Sequence, residues 1–305
     1  MTTAEGWFQQ QQPIRLRRLR DILATGETNP ARIVAALELS DRQERDTGHA
    51  PALSGRLPAP LAAADFSDRT RYPECPIMPT GVPTYAYASV AGTRTMRPFH
   101  GAYDRLALRQ IGDALTDHKI EAVVELGADF GQRLVSLFLD GGPRVPYYAA
   151  EPNAVGRDGI AALAETVPDM DLRAVAFDPQ NPDWSFLSGH GRVLVFSTLA
   201  LSAWNRLPAD LFDRLGRVAP AVWGMHYEAV GHQVRRDVPT LGWFYAQADA
   251  QGFNLDLVPL LVDAHNRGAV KCDFLSPDLY DLSTGFPVTV AWWRGGAAQA
   301  LPESG

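Results

Sequence analysis

The chain has 305 residues, of which 46% are hydrophobic and 21% charged, a balance that excludes a disordered or collagen-like polypeptide. A net charge of −7 argues against a general affinity for nucleic acid phosphates or an anionic membrane surface. The N-terminus, MTTAEGWFQQQQPIRLRRLR, carries no apolar segment ahead of its basic cluster, and no uninterrupted apolar run of about 18 residues follows, so neither a membrane span nor a signal peptide is expected. All basic residues except Lys119 and Lys271 are arginine, which reads as the codon bias of a GC-rich genome. Cys75 and Cys272 lie in unrelated contexts and the histidines show no tight ligand spacing, so no metal site is predicted and a reduced, cytoplasmic protein is expected.

In chain order, residues 1–48 read as helical, with Ile14, Leu16, Leu19, Ile22 and Leu23 at helical spacing and a second run of Ile33, Leu37 and Leu39 after Pro30. Arg15, Arg17, Arg18 and Arg20 decorate the first helix and read as a solvated face or as contacts for a phosphate-bearing substrate or partner. From Pro51 to Pro98 the proline density predicts an extended connector, with Tyr72, Tyr85 and Tyr87 too aromatic for a free linker. The domain boundary is placed at its end: 1–98 is an N-terminal arm, a lid or a subunit interface, and 99–305 the main domain.

Beyond Pro98 helices and strands alternate. Helices are predicted at 101–117, 132–140, 156–165, 209–218 and 240–251, and strands at 120–126, 145–150, 172–177, 192–197 and 221–226. Two further strands, 269–275 and 286–293, follow with only the turn-rich SPDLYDLSTG between them. Strands joined through helices need right-handed crossovers and a parallel sheet covered on both faces. The predicted fold is therefore α/β, a doubly wound, mostly parallel seven-stranded sheet with an antiparallel last pair, plus the helical and extended arm. Ligands on such sheets sit at the carboxyl ends of the strands.

The most informative stretch is VVELGADFGQRL (123–134), in which a buried strand ends in Glu125, turns through Gly127, Ala128, Asp129, Phe130 and Gly131, and enters a helix. A dinucleotide fingerprint would need glycines where Asp129 and Gln132 stand, which disfavours a nicotinamide cofactor. Glu151 ends the next strand, Phe177 and Asp178 the third, Ser197 and Thr198 the fourth, and the fifth runs into GMHYEAVGHQVRR (224–236). Read alone, Glu151 also fits a carboxylate at a helix N-terminus, and Asp178 an Asp-Pro turn.

These stations resemble the class I S-adenosylmethionine-dependent methyltransferases over residues 101–293. Glu125, Gly127 and Gly131 match the first motif of that family, with Asp129 in place of its middle glycine. The resemblance implies that the turn, with Ala128, wraps the methionine moiety, that Glu151 hydrogen-bonds the ribose hydroxyls, and that Phe177 and Asp178 flank the adenine. Ser197 and Thr198 occupy a position where many members have Asp or Asn. A looser resemblance to bacterial methyltransferase-like proteins encoded with surface-sugar genes rests on Gly141, Gly142 and Pro143; on Phe177, Asp178 and Pro182; on Asn254 and Leu255 with Leu260 and Leu261; and on Phe286, Pro287, Thr289, Trp293 and Arg294. It implies a saccharide acceptor.

Methyl transfer to oxygen needs in-line positioning and removal of a proton. His226 and Glu228, two apart on one strand, share a face and read as a general base and its orienting carboxylate, as substrate-binding groups without proton transfer, or as a structural pair. His100, Tyr103, His232 and Arg236 are candidate substrate contacts. The expected partner is a small molecule, without nucleic acid, with a homodimer possible. A catalytically silent cofactor-binding scaffold and a nicotinamide-dependent oxidoreductase remain the alternatives.

Overall fold

The computed structural model describes residues 4–37, 85–90, 93–98, 102–234, 246, 248–250, 252–281 and 287–301, with side chains described at 10–37, 107–234, 246, 248–250, 252–276 and 288–301. Helix α1 (Ala4–Ala24) contains Pro13, whose missing N–H leaves one bond of the helical ladder unmade. A second helix, α2, covers residues 30–37. Asn29 starts it by accepting from the Ala31 N–H at 3.0 Å.

Strands β1 (Tyr85–Val90) and β2 (Thr93–Pro98) form an antiparallel hairpin. This corrects the expectation of an irregular connector up to Pro98. Aromatic and β-branched residues in alternation on either side of a two-residue link outweigh the proline density upstream. Helix α3 (Ala102–Asp117) then leads into the main sheet.

Its parallel strands are β3 (Ala122–Leu126), β4 (Tyr147–Glu151), β5 (Leu172–Ala176), β6 (Arg192–Thr198) and β7 (Ala221–Glu228). β8 (Val270–Asp281) and β9 (Pro287–Gly296) complete it as an antiparallel pair, in the order β5-β4-β3-β6-β7-β9-β8. Seven strands with an antiparallel end are what the alternation of elements predicts. β8 runs further than predicted, into the segment read as a turn, because irregularities between Cys272 and Phe274 and between Ser276 and Tyr280 let it stay paired with β9 past Pro277.

Helices α4 (Gln132–Leu139) and α5 (Ala154–Ala164) cross one face of the sheet, and α6 (Leu211–Leu215), α7 (Gly231–Val234) and α8 (Leu257–Asn266) belong to the other side. The first face packs Ile111, Leu134, Ile160 and Leu163 against Val123, Leu194 and Phe196. Leu16, Leu19, Ile22 and Leu37 join that same cluster, so α1 and α2 contribute to the core of the first face. The second face packs Phe212, Leu215, Leu257 and Leu261 against Val124, Val195, Val222 and Trp293. Among the described residues no helix is long and apolar enough to cross a membrane.

One close approach fixes how β7 meets β9. Gly224 pairs with Trp293, and a Cβ at Gly224 would lie 2.0 Å from the indole Cε2. Only a hydrogen side chain leaves room for the ring. Gly224→Ala is therefore expected to cost about 1–3 kcal/mol through overpacking, read as a lower urea midpoint at an unchanged denaturant slope.

Candidate active site

The turn after β3 owes its shape to three left-handed stations at alternate residues. Gly127 (φ 65°), Asp129 (φ 52°) and Gly131 (φ 74°) all have positive φ, a region open to glycine and tolerated by aspartate. Asp129 thus takes a backbone conformation that glycine adopts freely. A Cβ at Gly127 would stand 2.5 Å from the Ala200 Cβ, so the turn also touches the segment after β6. Helix α4 begins at Gly131 without a side-chain cap.

Glu151, at the end of β4, holds this turn. Its Oε2 accepts the Asp129 N–H at 2.9 Å, and its Oε1 accepts the Asn153 N–H at 3.0 Å and the Gln12 amide at 3.1 Å. Burial pushes the Glu151 carboxyl above its ordinary range, opposed by those donors from Asn153 and Gln12 and by Arg157 and Arg15. The tight fit continues in α5: a Cβ at Gly156 would fall 2.6 Å from Glu151 Cγ, and one at Gly159 would fall 2.4 Å from the Phe130 ring. Glu125 is buried under the turn with Arg133 Nη1 3.6 Å from its Oε1.

Beside the turn opens a cleft of about 570 Å³, lined by Pro152 from the end of β4, Phe177, Asp178, Pro179 and Gln180 from the end of β5, and Trp204, Asn205 and Arg206 beyond β6. Phe177 and Trp204 form its apolar wall, ring centroids 5.6 Å apart at 35°. A Cβ at Gly127 would also come within 3.5 Å of the Trp204 ring, which joins the cleft to the turn. Asp178 is exposed and accepts the Gln180 N–H at 2.9 Å, an Asx turn that fixes its carboxylate at the rim.

On the second face, beneath the ends of β6 and β7, lies a buried polar cluster. The Ser197 hydroxyl donates to Glu228 Oε1 at 2.6 Å and stands 2.8 Å from His226 Nδ1. Its one proton is thereby committed to the carboxylate, so Nδ1 carries the imidazole proton and Nε2 is a bare acceptor. Glu228 also accepts the N–H groups of Ala200 and Leu201, each at 3.2 Å, and of Ser202 at 2.9 Å. Burial pushes the Glu228 carboxyl up, and these donors pull it back. His226 Nε2 and Thr289 Oγ1 have no hydrogen-bond partner among the described residues, and both residues line a cavity of about 10 Å³, room for one water.

No protein-family model matches the chain, and no characterised protein matches it in sequence. Solved structures similar to it include the N-terminal domain of EvdMO1 in the presence of SAH and D-fucose, at 16% identity over 68% of this chain and 88% of that one, with a TM-score of 0.41. A SAM-dependent methyltransferase from Aquifex aeolicus is 12% identical over 63% of this chain and 92% of that one, with a TM-score of 0.40. An O-methyltransferase family protein from Burkholderia thailandensis is 11% identical over 64% and 57%, with a TM-score of 0.43. Numbered from β3, the sheet of this chain has the order 3-2-1-4-5-7-6 with its last pair antiparallel. The fold is a doubly wound, mostly parallel α/β sheet closed by an antiparallel pair.

In this fold the residues singled out from sequence fall into two groups. Gly127, Ala128, Asp129, Gly131, Glu151, Phe177 and Asp178 line or shape the turn and the adjoining cleft. Ser197, His226 and Glu228 form the buried cluster on the second face, while Thr198 is buried with its hydroxyl free of hydrogen bonds among the described residues. His232 is buried in α7. His100, Arg236 and the Tyr103 side chain lie outside the described residues. Sequence reasoning passed over Trp204, in ALSAWNR just past β6, although an aromatic there was a readable signal. It also passed over Gln12, which reaches the turn from more than a hundred residues away, and the solvated-face reading of the α1 arginines is corrected at Arg15, which pairs with Asp129, and at Arg18, which is buried.

His226 also makes the fold sensitive to acid. Burial lowers its pKa to about 3 from the ordinary 6.5, so in that interval the unfolded chain binds a proton that the folded chain does not. The stability this contributes is complete above pH 6.5 and drains away as pH falls toward 3. His226→Gln should therefore narrow the gap to wild type as the medium is acidified, measured as urea midpoints across that window. A constant gap would show that the imidazole is not shielded.

Proposed function

We propose that the protein is an S-adenosylmethionine-dependent methyltransferase acting on a hydroxyl group of a small molecule, with a saccharide or similar hydroxyl-rich metabolite as acceptor. The observation that carries this reading is the junction of the aromatic cleft with the glycine turn through Trp204 and Gly127, the turn itself being held by Glu151 next to the cleft residue Pro152. An apolar wall, a rim carboxylate and the nearby Glu151 carboxylate are the kinds of group that a base and a ribose diol call for. The residues present fit that group: Gly127 has no room for a side chain, and the cleft has the volume of a small-molecule site.

In this reading Phe177 and Trp204 flank the base and Asp178 accepts from its exocyclic amine. Glu151 accepts from the ribose hydroxyls, and the first N–H groups of α4 face the amino-acid end. The cofactor, when bound, supplies an activated methyl on a sulfonium. The protein then has to hold the acceptor oxygen in line, and the proton of that oxygen has to leave. His226, read from sequence as the general base, is ill placed for that proton: its unprotonated Nε2 opens on a small cavity with room for one water rather than on the cleft, and burial lowers its pKa to about 3, so the proton goes to solvent and catalysis rests on positioning. Glu228, through the Ser197 hydroxyl, keeps the imidazole in this tautomer.

Calorimetric titration with S-adenosylmethionine, S-adenosylhomocysteine and NAD in parallel tests the cofactor, and a preference for NAD overturns the reading. Glu151→Ala is expected to lose roughly 2–4 kcal/mol of cofactor affinity, the worth of two hydrogen bonds to a charged group. His226→Ala should keep turnover per folded molecule within a few-fold, and a loss of about 10²-fold at unchanged cofactor affinity would return the proton to the imidazole.

A further inference from the structure

We propose that the first half of α1 is a latch on the cofactor site, in which the Gln12 amide occupies the place of a ribose hydroxyl on Glu151 and must leave before the ribose binds. The inference rests on the cofactor reading above and adds a step to it.

The acceptor capacity of Glu151 sets the argument. A carboxylate oxygen takes about two hydrogen bonds. Oε1 already accepts from Asn153 and Gln12, and Oε2 from Asp129. The Asn153 and Asp129 donors are backbone N–H groups built into the α5 start and the glycine turn, so neither can be given up. One acceptor position is left on Oε2, and a vicinal diol needs two. Only the Gln12 amide, on a separate element, can yield the second. The same nitrogen lies 3.3 Å from Asp129 Oδ1, so it spans the two carboxylates that border the turn.

Two features make the contact reversible. The Gln12 carbonyl oxygen is buried and accepts no hydrogen bond among the described residues, so the closed latch is incompletely satisfied and costs less to open than a fully paired amide. The residue that follows Gln12 is Pro13, inside the helix, where the missing N–H weakens the ladder and localises bending. Beyond that point the helix is fixed. Leu16, Leu19 and Ile22 are buried in the first-face core, and Arg15 pairs with Asp129 and lies over the Phe130 ring at 5.1 Å. The hinge thus falls between the half anchored in the core and the turn of helix that carries Gln12 to the site.

The test compares wild type with Gln12→Ala and Pro13→Ala, all full length, titrated with S-adenosylhomocysteine by calorimetry and stopped flow. Gln12→Ala should bind about 3- to 10-fold more tightly, through faster association at a similar dissociation rate, because the competent state no longer has to be released from an amide–carboxylate bond. Pro13→Ala restores the ladder N–H and should slow association. In wild type, hydrogen exchange of the amides at residues 4–12 should speed up when S-adenosylhomocysteine is added. Equal or weaker binding by Gln12→Ala, or slower exchange of those amides on binding, overturns the latch while leaving the cofactor assignment in place. No binding by any of the three proteins overturns the cofactor assignment and the latch with it.

Discussion

A single buried carboxylate, that of Glu151, holds together the parts of this protein that matter for chemistry. It ends β4, accepts the N–H of the left-handed Asp129 in the turn after β3, accepts the N–H of Asn153 that opens α5, and receives an amide from α1. Four segments of the chain therefore depend on one acidic group being ionised where water is largely excluded. The burial that raises its pKa and the donors that lower it are two sides of the same arrangement. With those donors removed, burial would push the carboxyl further toward its neutral form, in which one oxygen carries a proton and accepts less well.

Aspartate at the middle, left-handed position of the turn has a local cost and a remote compensation. The backbone there has φ 52°, which aspartate adopts more readily than most residues. Its charge is answered by Arg15, from a helix whose apolar side is already packed into the first face. The arm and the turn are thus matched to each other. A glycine in place of Asp129 would relax the backbone and at the same time release Arg15.

The other carboxylate at the strand ends, Glu228, plays a parallel part on the second face. It gathers the N–H groups of Ala200, Leu201 and Ser202, and so pins the turn that follows β6. Leu199, just before them, is held at φ 57°, a conformation that costs a bulky residue about 1–3 kcal/mol. That strained turn brings Ala200 against Gly127 and leads the chain to Trp204, so the geometry of the cleft is set partly by a carboxylate that does not line it.

The fold was legible in the sequence because its signals are local and repeated. The apolar runs ending in Glu125, Glu151, Phe177, Thr198 and Glu228 alternate with helical periods, and a parallel sheet follows from that alternation and the handedness of crossovers. The turn was legible too, since Gly127 and Gly131 frame a strand-to-helix transition. The hairpin at 85–98 was hidden by the prolines before it, and the full length of β8 by a turn-rich composition that its irregular pairing tolerates. Composition and periodicity alone determined that buried strands would deliver acidic residues to one edge of a doubly wound sheet. Which of those residues meet was decided only by the tertiary structure: Gln12 and Arg15 on Glu151 and Asp129, Trp204 on Phe177, Ser197 between His226 and Glu228. The reason is physical: strand and helix periods are written by neighbours a few residues apart, whereas a hydrogen bond between residues 12 and 151 exists only once the core has brought their elements together.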